Sequence, residues 1–171
     1  MIKAGIEIIK RFEGLGDGDT DAPSLQPYLC PANVVTIGWG HVVYYNKKQL
    51  KGEKGLSIAN QIYPSGITEA TAEAFLIEDI NVKYTILMQM LKNRKIDDKK
   101  LNNNQIGALT SLIFNIGAGN FKKSEVLYEL QRKSPSEVIA NRFHLHVKSK
   151  GTILLGLVRR RKAEAELFVQ H

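Results

Sequence analysis

Residues 30–43, CPANVVTIGWGHVV, set β-branched and aromatic residues between residues that favour turns. Valine, isoleucine and threonine pack well on a pleated surface, whereas a proline, an asparagine and two glycines interrupt the pattern at short intervals. Short β-rich runs bounded by such residues are typical of hairpins. The stretch therefore predicts a small antiparallel sheet between Pro27 and Tyr45.

The same stretch contains the only cysteine of the chain, Cys30, which precedes Thr36 with five residues between them. A single cysteine excludes an internal disulfide framework, and no Cys-x-x-Cys pair is present for zinc binding or redox exchange. Taken alone, Cys30 is best interpreted as a small apolar core residue and Thr36 as an ordinary strand residue.

Outside this stretch the chain shows mainly amphipathic helical patterns. Apolar residues recur at helical spacing from Ile2 to Phe12 and predict a short first helix that closes at Glu13 and Gly14. NKKQLKGEKGLS is predicted to be a polar connection, and Thr68 is predicted to cap a long helix. A final helix is predicted at about residues 157–169.

Three further helices are predicted from their caps. Asn102 or Asn103 precedes QIGALTSLIFNIG, and Ser124 precedes EVLYELQRK. SPSE at 134–137 has the form of a capping box with proline at the first helical position.

This order of elements separates strands from helices and predicts an α+β fold. We expect a single domain over residues 1–171, because no linker or repeat interrupts the chain. Its parts are a sheet lobe at about 14–67, a connecting helix at about 68–93, and a helical lobe at about 94–171 that includes the N-terminal helix.

The composition is that of a globular protein, with 43% apolar and 24% charged residues in 171. The formal net charge is +7, which favours a polyanionic partner without distinguishing nucleic acid, anionic lipid and bacterial envelope polymers. No signal peptide or membrane-spanning segment is recognisable, so synthesis in a cytoplasm is expected.

Four blocks of sequence together resemble the phage-type lysozymes, glycoside hydrolase family 24. They are FEG at 12–14, YLCPANVVTIGWGH at 28–41, QIGALTSLIFNIGAGNFKKS at 105–124 and GLVRRRKAEAELF at 156–168. The resemblance covers nearly the whole chain. It implies a lysozyme-like α+β fold with a cleft between a sheet lobe and a helical lobe. The implied function is that of an endolysin, which lyses the host by hydrolysing the β-1,4 bond between N-acetylmuramic acid and N-acetylglucosamine in peptidoglycan.

The resemblance also implies roles for three residues. Glu13 would be the general acid, and Cys30 would occupy the position of the second catalytic group, where the family has aspartate or cysteine before Thr-Ile-Gly. Thr36 would position the attacking water or support that second group. Hydrolysis of such a bond requires an acid on the leaving-group side and a base or nucleophile opposite, and an activated thiolate can act as either.

The interval between Glu13 and Cys30 departs from the family, since it has sixteen residues where short members have fewer. The additional segment contains Asp17, Asp19 and Asp21, any of which could supply the second carboxylate in place of the thiol. None of the three keeps the interval of five residues before the threonine.

The three aspartates also match the start of an EF-hand loop, but the pattern fails at Ala22 and Tyr28. His144 and His146 lie two apart on a predicted helix and therefore on different faces. We expect no metal and no other cofactor.

The resemblance assigns further residues to the substrate and to support of the acid. Saccharide contacts are implied for Val42, Phe114, Ser124 and, less directly, Asn141. Trp39 could stack on a sugar or fill the core, and His41 is a supporting residue. Arg159 would pair with Glu13, while the remaining cations of RRRK could contact anionic envelope polymers.

Two other functions remain open at this point. A lytic transglycosylase would need only one glutamate and would form an anhydro sugar, and a non-enzymatic cationic protein could permeabilise membranes through its C-terminal helix. No nucleic-acid-binding motif is present. We expect a monomer that stays in the host cytoplasm until its release to the periplasm or cell wall, with a stereochemical outcome set by the distance from Glu13 to the second group.

Overall fold

The computed structural model describes residues 2–13, 24–149 and 151–170. Its helices are α1 (Lys3–Glu13), α2 (Gly52–Ile62), α3 (Glu69–Asn93), α4 (Asn103–Lys122), α5 (Glu125–Gln131), α6 (Ser136–Phe143) and α7 (Leu155–Val169), with a 3-10 turn at Asp98–Lys100. Its strands are β1 (Ser24–Leu29), β2 (Val35–Gly38), β3 (His41–Val42), β4 (Tyr44–Tyr45), β5 (Lys48–Gln49), β6 (Lys148–Ser149) and β7 (Thr152–Ile153). The predicted α+β class is confirmed. The aspartates at 17, 19 and 21 lie outside the described residues.

The chain divides into two compact units. The sheet-bearing unit is Glu13–Asp79, and the helical unit is Met1–Phe12 together with Ile80–His171. The residues of α3 are shared between them. The division of a single domain into the predicted sheet lobe, connecting helix and helical lobe stays a prediction.

The sheet-bearing unit contains a three-stranded antiparallel sheet in the order β1-β2-β3. One face of it packs into a small apolar core whose fully buried members include Val35, Ile37 and Ala59. A separate two-stranded hairpin, β4-β5, turns through Asn46 and Lys47, both with left-handed φ angles. The predicted sheet between Pro27 and Tyr45 is therefore confirmed.

Helix α2 was not expected, because its sequence is polar and contains two glycines. The helix forms where it can approach the sheet closely: a β-carbon at Gly55 would lie only 3.1–3.3 Å from Leu50 and Val35. Its buried face consists of the small residues Gly55 and Ala59, which carry almost no hydrophobic signal. The prediction of a polar connection over this segment is therefore wrong.

The helical unit has a larger core, formed by α4 to α7 and the second half of α3. The caps predicted for two of its helices are confirmed: Asn102 forms a reciprocal capping box with Gln105, and the hydroxyl of Ser124 accepts from the backbone N–H of Leu127. In the same unit α1 and α4 approach at Gly5 and Gly107, where a β-carbon on Gly5 would lie 2.6 Å from backbone atoms of Gly107.

The capping box predicted at residues 134–137 is wrong. Pro135 is the N-cap of α6 and makes no side-chain cap bond. Instead, the Ser134 hydroxyl donates to the Glu129 carboxylate over 2.6 Å, and Arg142 donates to the same carboxylate. These bonds, that of Ser134 foremost, lower the pKa of Glu129. The Ser134 hydroxyl is thus a donor to a charged acceptor, while the N-cap position of α6 is taken by Pro135.

The segment before the last helix contains a hairpin that the sequence did not indicate. Strands β6 and β7 pair antiparallel through Lys148 opposite Ile153, and Gly151 has a φ of +85°. Strands of two residues are too short to show an alternating pattern. Helix α7 begins at Leu155, two residues before the predicted start. None of the helices in the described residues combines the length and apolar character that crossing a bilayer requires.

Candidate active site

Three of the predicted site residues lie on one face of the β1-β2-β3 sheet. Thr36 is opposite Tyr28 on β1 and opposite Val42 on β3. Directly opposed residues of antiparallel strands share a face, and side chains alternate along a strand. Cys30, two residues after Tyr28, therefore shares this face with Thr36 and Val42, while Val35 faces the core on the other side.

Cys30 is held at the first position of a tight turn. Its N–H donates to the carbonyl of Val34 over 2.9 Å, and its own carbonyl accepts from the N–H of Asn33 over 2.8 Å. Asn33 adopts a left-handed φ of 60°, which asparagine tolerates better than most residues. The thiol is half-buried and belongs to no disulfide. The ladder hydrogen bond to Val34 continues the strand alternation through Cys30.

Thr36 is buried, although it lies on the face directed away from the small core. Its hydroxyl donates to the backbone carbonyl of Tyr28 in a long contact of 3.5 Å. A hydroxyl with one weak local bond retains capacity to bind a water or a neighbouring polar group. Cys30 and Thr36 are diagonal neighbours across the strands, a relation that typically separates the β-carbons by about 7–8 Å.

Glu13 is the last residue of α1 and is half-buried. It is also the first residue of the sheet-bearing unit, to which Cys30 and Thr36 belong. The preceding aromatic residue, Phe12, is contacted by cationic side chains: Arg11 lies over its ring at 5.4 Å and Arg160 at 6.0 Å. Glu13 therefore ends α1, as predicted from the sequence. The last turn of this helix also has cationic neighbours.

His41 connects β3 to α3 within the sheet-bearing unit. Its ring stacks on Phe75 with centroids 4.4 Å apart, and Nδ1 lies 2.9 Å from Oδ2 of Asp79. Phe75 and Asp79 are one helical turn apart, so α3 contacts the imidazole at two points. These contacts fix the strand that carries Val42, which fits the supporting role predicted for His41.

Trp39 occupies the turn between β2 and β3 and is only 7% exposed. Gly38 and Gly40 on either side have φ angles of 66° and 80°, in the region that favours glycine. So little accessible indole favours the packing role over sugar stacking, and saccharide contact by this residue stays a prediction.

The other predicted saccharide contacts belong to the helical unit. Phe114 on α4 is half-buried, and Asn141 on α6 is exposed. Ser124 is buried, and its hydroxyl donates to the carbonyl of Phe121 over 2.8 Å while capping α5. Ser124 thus caps α5, and its contact with the saccharide stays a prediction.

The arginines of α7 are arranged differently from a solvated basic face. Arg159 is exposed, whereas Arg160 and Arg161 are buried against the carboxylate of Glu164. Arg160 Nε lies 3.1 Å and Arg161 Nε 2.7 Å from that carboxylate, and the hydroxyl of Ser111 donates to it over 2.6 Å. The expectation that these two arginines contact envelope polymers is therefore wrong, while the pairing of Arg159 with Glu13 stays a prediction.

Two acidic partners of basic residues are not predicted from the sequence: Asp79, which binds His41, and Glu164, which binds Arg160 and Arg161. Glu164 follows Arg160 and Arg161 at i+4 and i+3, a spacing that places opposite charges together on one helix face. That signal was available in the sequence. Asp79 is 38 residues from His41, and no local pattern connects the two.

Comparison with known proteins agrees with this geometry. The sequence profile of the family described as Phage lysozyme matches residues 10–164. An endolysin of Acyrthosiphon pisum secondary endosymbiont phage 1 is 34% identical over 167 residues, which cover 96% of this chain and 94% of the relative. An endolysin of Bacillus phage B103 is 30% identical over 98% of this chain, which spans 53% of that longer relative.

Solved structures show the same fold. The muramidase domain of SpmX from Asticaccaulis excentricus has a TM-score of 0.71 and 25% identity, covering 99% of this chain and 97% of that domain. A variant of P22 lysozyme has a TM-score of 0.68 and 28% identity, covering 97% of this chain and 95% of that structure. Both similarities extend over both units of the chain.

Proposed function

The chain belongs to the phage lysozyme family, and we propose that Glu13, Cys30 and Thr36 are the residues with which it cleaves its substrate. The protein is a glycoside hydrolase of lysozyme type. It is a muramidase that hydrolyses the β-1,4 bond between N-acetylmuramic acid and N-acetylglucosamine in peptidoglycan, and it acts as an endolysin that lyses the host cell.

The observation that supports these roles is the strand register. It sets Tyr28 and Thr36 on one sheet face, directed away from the small core, and the backbone bond from Cys30 to Val34 extends that pairing to Cys30, with the sequence spacing that the family uses for its second catalytic group. A core cysteine would be expected on the opposite face with Val35. The face occupied by the thiol therefore favours chemistry over packing.

The proposed reaction divides the work between two sides of the sugar. Glu13 protonates the glycosidic oxygen as the bond to the leaving sugar breaks. On the other side, the Cys30 thiolate either attacks the anomeric carbon or takes a proton from a water held by Thr36. Attack by sulfur forms a glycosyl-enzyme bond that water, deprotonated by Glu13, then cleaves to release the thiolate, with net retention; direct attack by water gives inversion, and the transition states are oxocarbenium-like in both cases.

We further propose that Val42, Phe114, Ser124 and Asn141 contact the saccharide, and that His41 supports the strand carrying Val42. Val42 is the best supported of these, because it lies directly opposite Thr36 on the same sheet face. Arg159 is proposed to hold Glu13 in position. The protein is proposed to act as a monomer.

Storage in the host cytoplasm until release is proposed on chemical grounds. Cys30 is the only cysteine and is half-buried, so a reducing compartment keeps its sulfur available. Of the remaining cations in RRRK, Lys162 is exposed, and it is proposed to contact anionic envelope polymers after release.

The proposal for the acid is tested with Glu13→Gln, which keeps the shape and removes the proton donor. We expect the rate of turbidity loss of a peptidoglycan suspension to fall by about 100-fold or more, because positioned acids typically contribute that much. Glu7→Gln is the matched control, since Glu7 lies on the same helix and is exposed. Full activity of Glu13→Gln with an unchanged melting temperature would overturn the assignment.

The distinction from a lytic transglycosylase is tested on the products. Digestion in ¹⁸O-labelled water should add one heavy oxygen to each new reducing end, as mass spectrometry of the muropeptides would detect. Anhydro-muropeptides without the label would instead assign the chemistry to a transglycosylase.

A further inference from the structure

The surface around β6, β7 and the start of α7 exposes four large aliphatic side chains within eleven residues. They are Leu145, Ile153, Leu154 and Leu155, which we call the apolar tip. Leu155 is 77% exposed, and Leu145 and Ile153 are each 57% exposed. Exposed aliphatic residues elsewhere in the described chain are scattered singly. Leu145 and Leu154 line one groove, and so many exposed aliphatic side chains in one short segment are typical of an interaction surface.

The segment that carries the tip is rich in cations. Residues 144–163 contain six lysines and arginines and no aspartate or glutamate; Arg160 and Arg161 are buried against Glu164, and Lys162 lies 3.9 Å from Glu166. Lys148 is paired opposite Ile153 in the hairpin. Arg159 and Lys162 are exposed and follow Leu155 at i+4 and i+7, on the same face of α7. The apolar tip is therefore bordered by exposed cations.

A groove beside the tip adds hydrogen-bond donors. It has a volume of about 520 Å³, and its walls include Leu145, Leu154, Lys148 and Ser149. An ammonium group and a hydroxyl can both donate to a phosphate oxygen. Aliphatic contacts and phosphate-binding donors are thus side by side on one surface.

We propose that this surface docks the protein on an anionic phospholipid bilayer, with the apolar tip in the interface and the lysines at the headgroups. Interfacial binding of proteins combines buried apolar area with attraction between cations and anionic lipid, and both components are present here. The proposed glycan chemistry does not require this surface. Attachment would hold the enzyme at the inner membrane of the host, next to the barrier it must pass.

The test measures co-sedimentation with vesicles that contain phosphatidylglycerol and with vesicles of pure phosphatidylcholine. The intact protein should bind the anionic vesicles and not the neutral ones, and added salt should weaken binding. Ile153→Gln with Leu155→Gln should lower the partition coefficient by about tenfold or more, because two aliphatic side chains lose their burial. Lys148→Gln with Lys162→Gln should lower it as well.

Matched controls replace exposed aliphatic residues and exposed lysines that lie outside the apolar tip. Ile62→Gln with Val82→Gln replaces exposed aliphatics outside the tip, and Lys47→Gln with Lys48→Gln replaces exposed lysines of the other hairpin. Binding should persist in the aliphatic control and should fall less in the lysine control than in the tip variant. The variant with Ile153→Gln and Leu155→Gln should keep the turbidity activity, and Glu13→Gln should keep vesicle binding, so failure of the docking proposal and failure of the catalytic one are distinguishable.

Several outcomes would overturn the proposal. Absence of binding to anionic vesicles would do so, as would equal binding by the tip variant and its aliphatic control. If sedimentation showed a dimer that only the tip variant loses, the surface would be an interface between copies. If the tip variant lost retention on purified sacculi while keeping vesicle binding, the ligand would be a wall polymer.

Discussion

Cys30 owes its position to hydrogen bonds within four residues of itself. The turn to Asn33 and the ladder bond to Val34 use only its backbone, so the side chain can be changed without disturbing either contact. This separates the chemical role of the thiol from its structural one, and it permits substitutions that a core cysteine would not tolerate.

Cys30→Ala is expected to lower peptidoglycan hydrolysis strongly while leaving the melting temperature nearly unchanged. Cys30→Asp should retain much of the activity, because a carboxylate can serve as base or nucleophile in the same place. Treatment with iodoacetamide should inhibit the intact protein and not Cys30→Asp, as turbidity assays would show. Full activity of Cys30→Ala would transfer the second role to one of the aspartates at 17, 19 and 21.

His146 is a titratable residue whose effect on stability can be predicted in sign. It is partly buried, its Nε2 has no hydrogen-bond partner among the described residues, and its carbonyl accepts from Arg161. Desolvation, and then the charge of Arg161, lower the pKa of His146 below its ordinary value of about 6.5. The folded protein therefore holds this proton less tightly than the unfolded chain does.

The contribution of neutral His146 to the free energy of unfolding should consequently be fully present above about pH 6.5. It should be lost as the pH falls through the lowered pKa of the folded protein. Urea midpoints measured at pH 7.5 and pH 5.5 should differ less in His146→Gln than in the intact protein. His144→Gln is the control, because His144 is exposed and only two residues away. An identical pH dependence in both variants would contradict the prediction.

At the scale of elements, the contact between α1 and α4 depends on the absence of side chains. A β-carbon on Gly5 would meet backbone atoms of Gly107 at 2.6 Å, and backbone cannot move aside as a flexible side chain can. Gly5→Ala should therefore destabilise the protein by about 1–3 kcal/mol, as overpacking generally does. Thermal unfolding would measure the change.

Gly119→Ala provides the comparison on α4 itself. Outside its own turn of helix, no atom of the described residues lies within 4 Å of a β-carbon at that position. Alanine generally favours helix over glycine. Its melting temperature should stay the same or rise. A similar loss in both variants would show that the close approach of α1 and α4 at Gly5 does not control the result.

Elements with a clear apolar period could be predicted from the sequence, and those built by close approach could not. α1, α3 and the caps at Asn102 and Ser124 have local signals that the fold preserves. α2 does not, since its packing depends on Gly55 fitting against Leu50. Ser134 does not form its predicted cap, because α6 begins at Ser136 with Pro135 as its N-cap, and the Ser134 hydroxyl donates instead to a carboxylate five residues earlier in the chain.

At the scale of the whole molecule, Glu164 links segments that are far apart in sequence. Its carboxylate is buried and accepts from Ser111 on α4 and from two arginines of α7, while Arg161 also donates to Asn115 and to the carbonyl of His146. Removing one partner of a buried ion pair leaves the others desolvated without compensation. These contacts among α4 and α7 therefore depend on one negative charge.

Glu164→Gln should lower the free energy of unfolding by about 3–5 kcal/mol, the usual cost of breaking a buried pair. Glu166→Gln, two residues along the same helix and exposed, should change it by less than about 0.5 kcal/mol. Urea denaturation of both variants is the measurement. Equal stabilities would mean that the buried arginines are adequately solvated by other groups.

The relation between Cys30 and Thr36 could be predicted from the sequence, whereas the contacts of the other candidate residues could not. Spacing between Cys30 and Thr36 carried enough information to join them, because both belong to one hairpin. The orientation of His41 towards Asp79 and the burial of Arg160 instead of Arg159 depend on contacts between distant segments. Such contacts leave no periodic trace in a single sequence.

The turn that holds Cys30 also indicates which interval of the sequence should be used to recognise distant relatives, namely the five residues between Cys30 and Thr36. Since β1 and β2 fix the thiol relative to Thr36 within one hairpin, insertions before Ser24 can accumulate without moving it relative to that threonine. The number of residues between Glu13 and Cys30 can then change without moving the thiol relative to Thr36. The interval of five residues between Cys30 and Thr36 cannot. Divergent members of the lineage should accordingly be sought by the hairpin gap, with the acid located afterwards from the helix that precedes it.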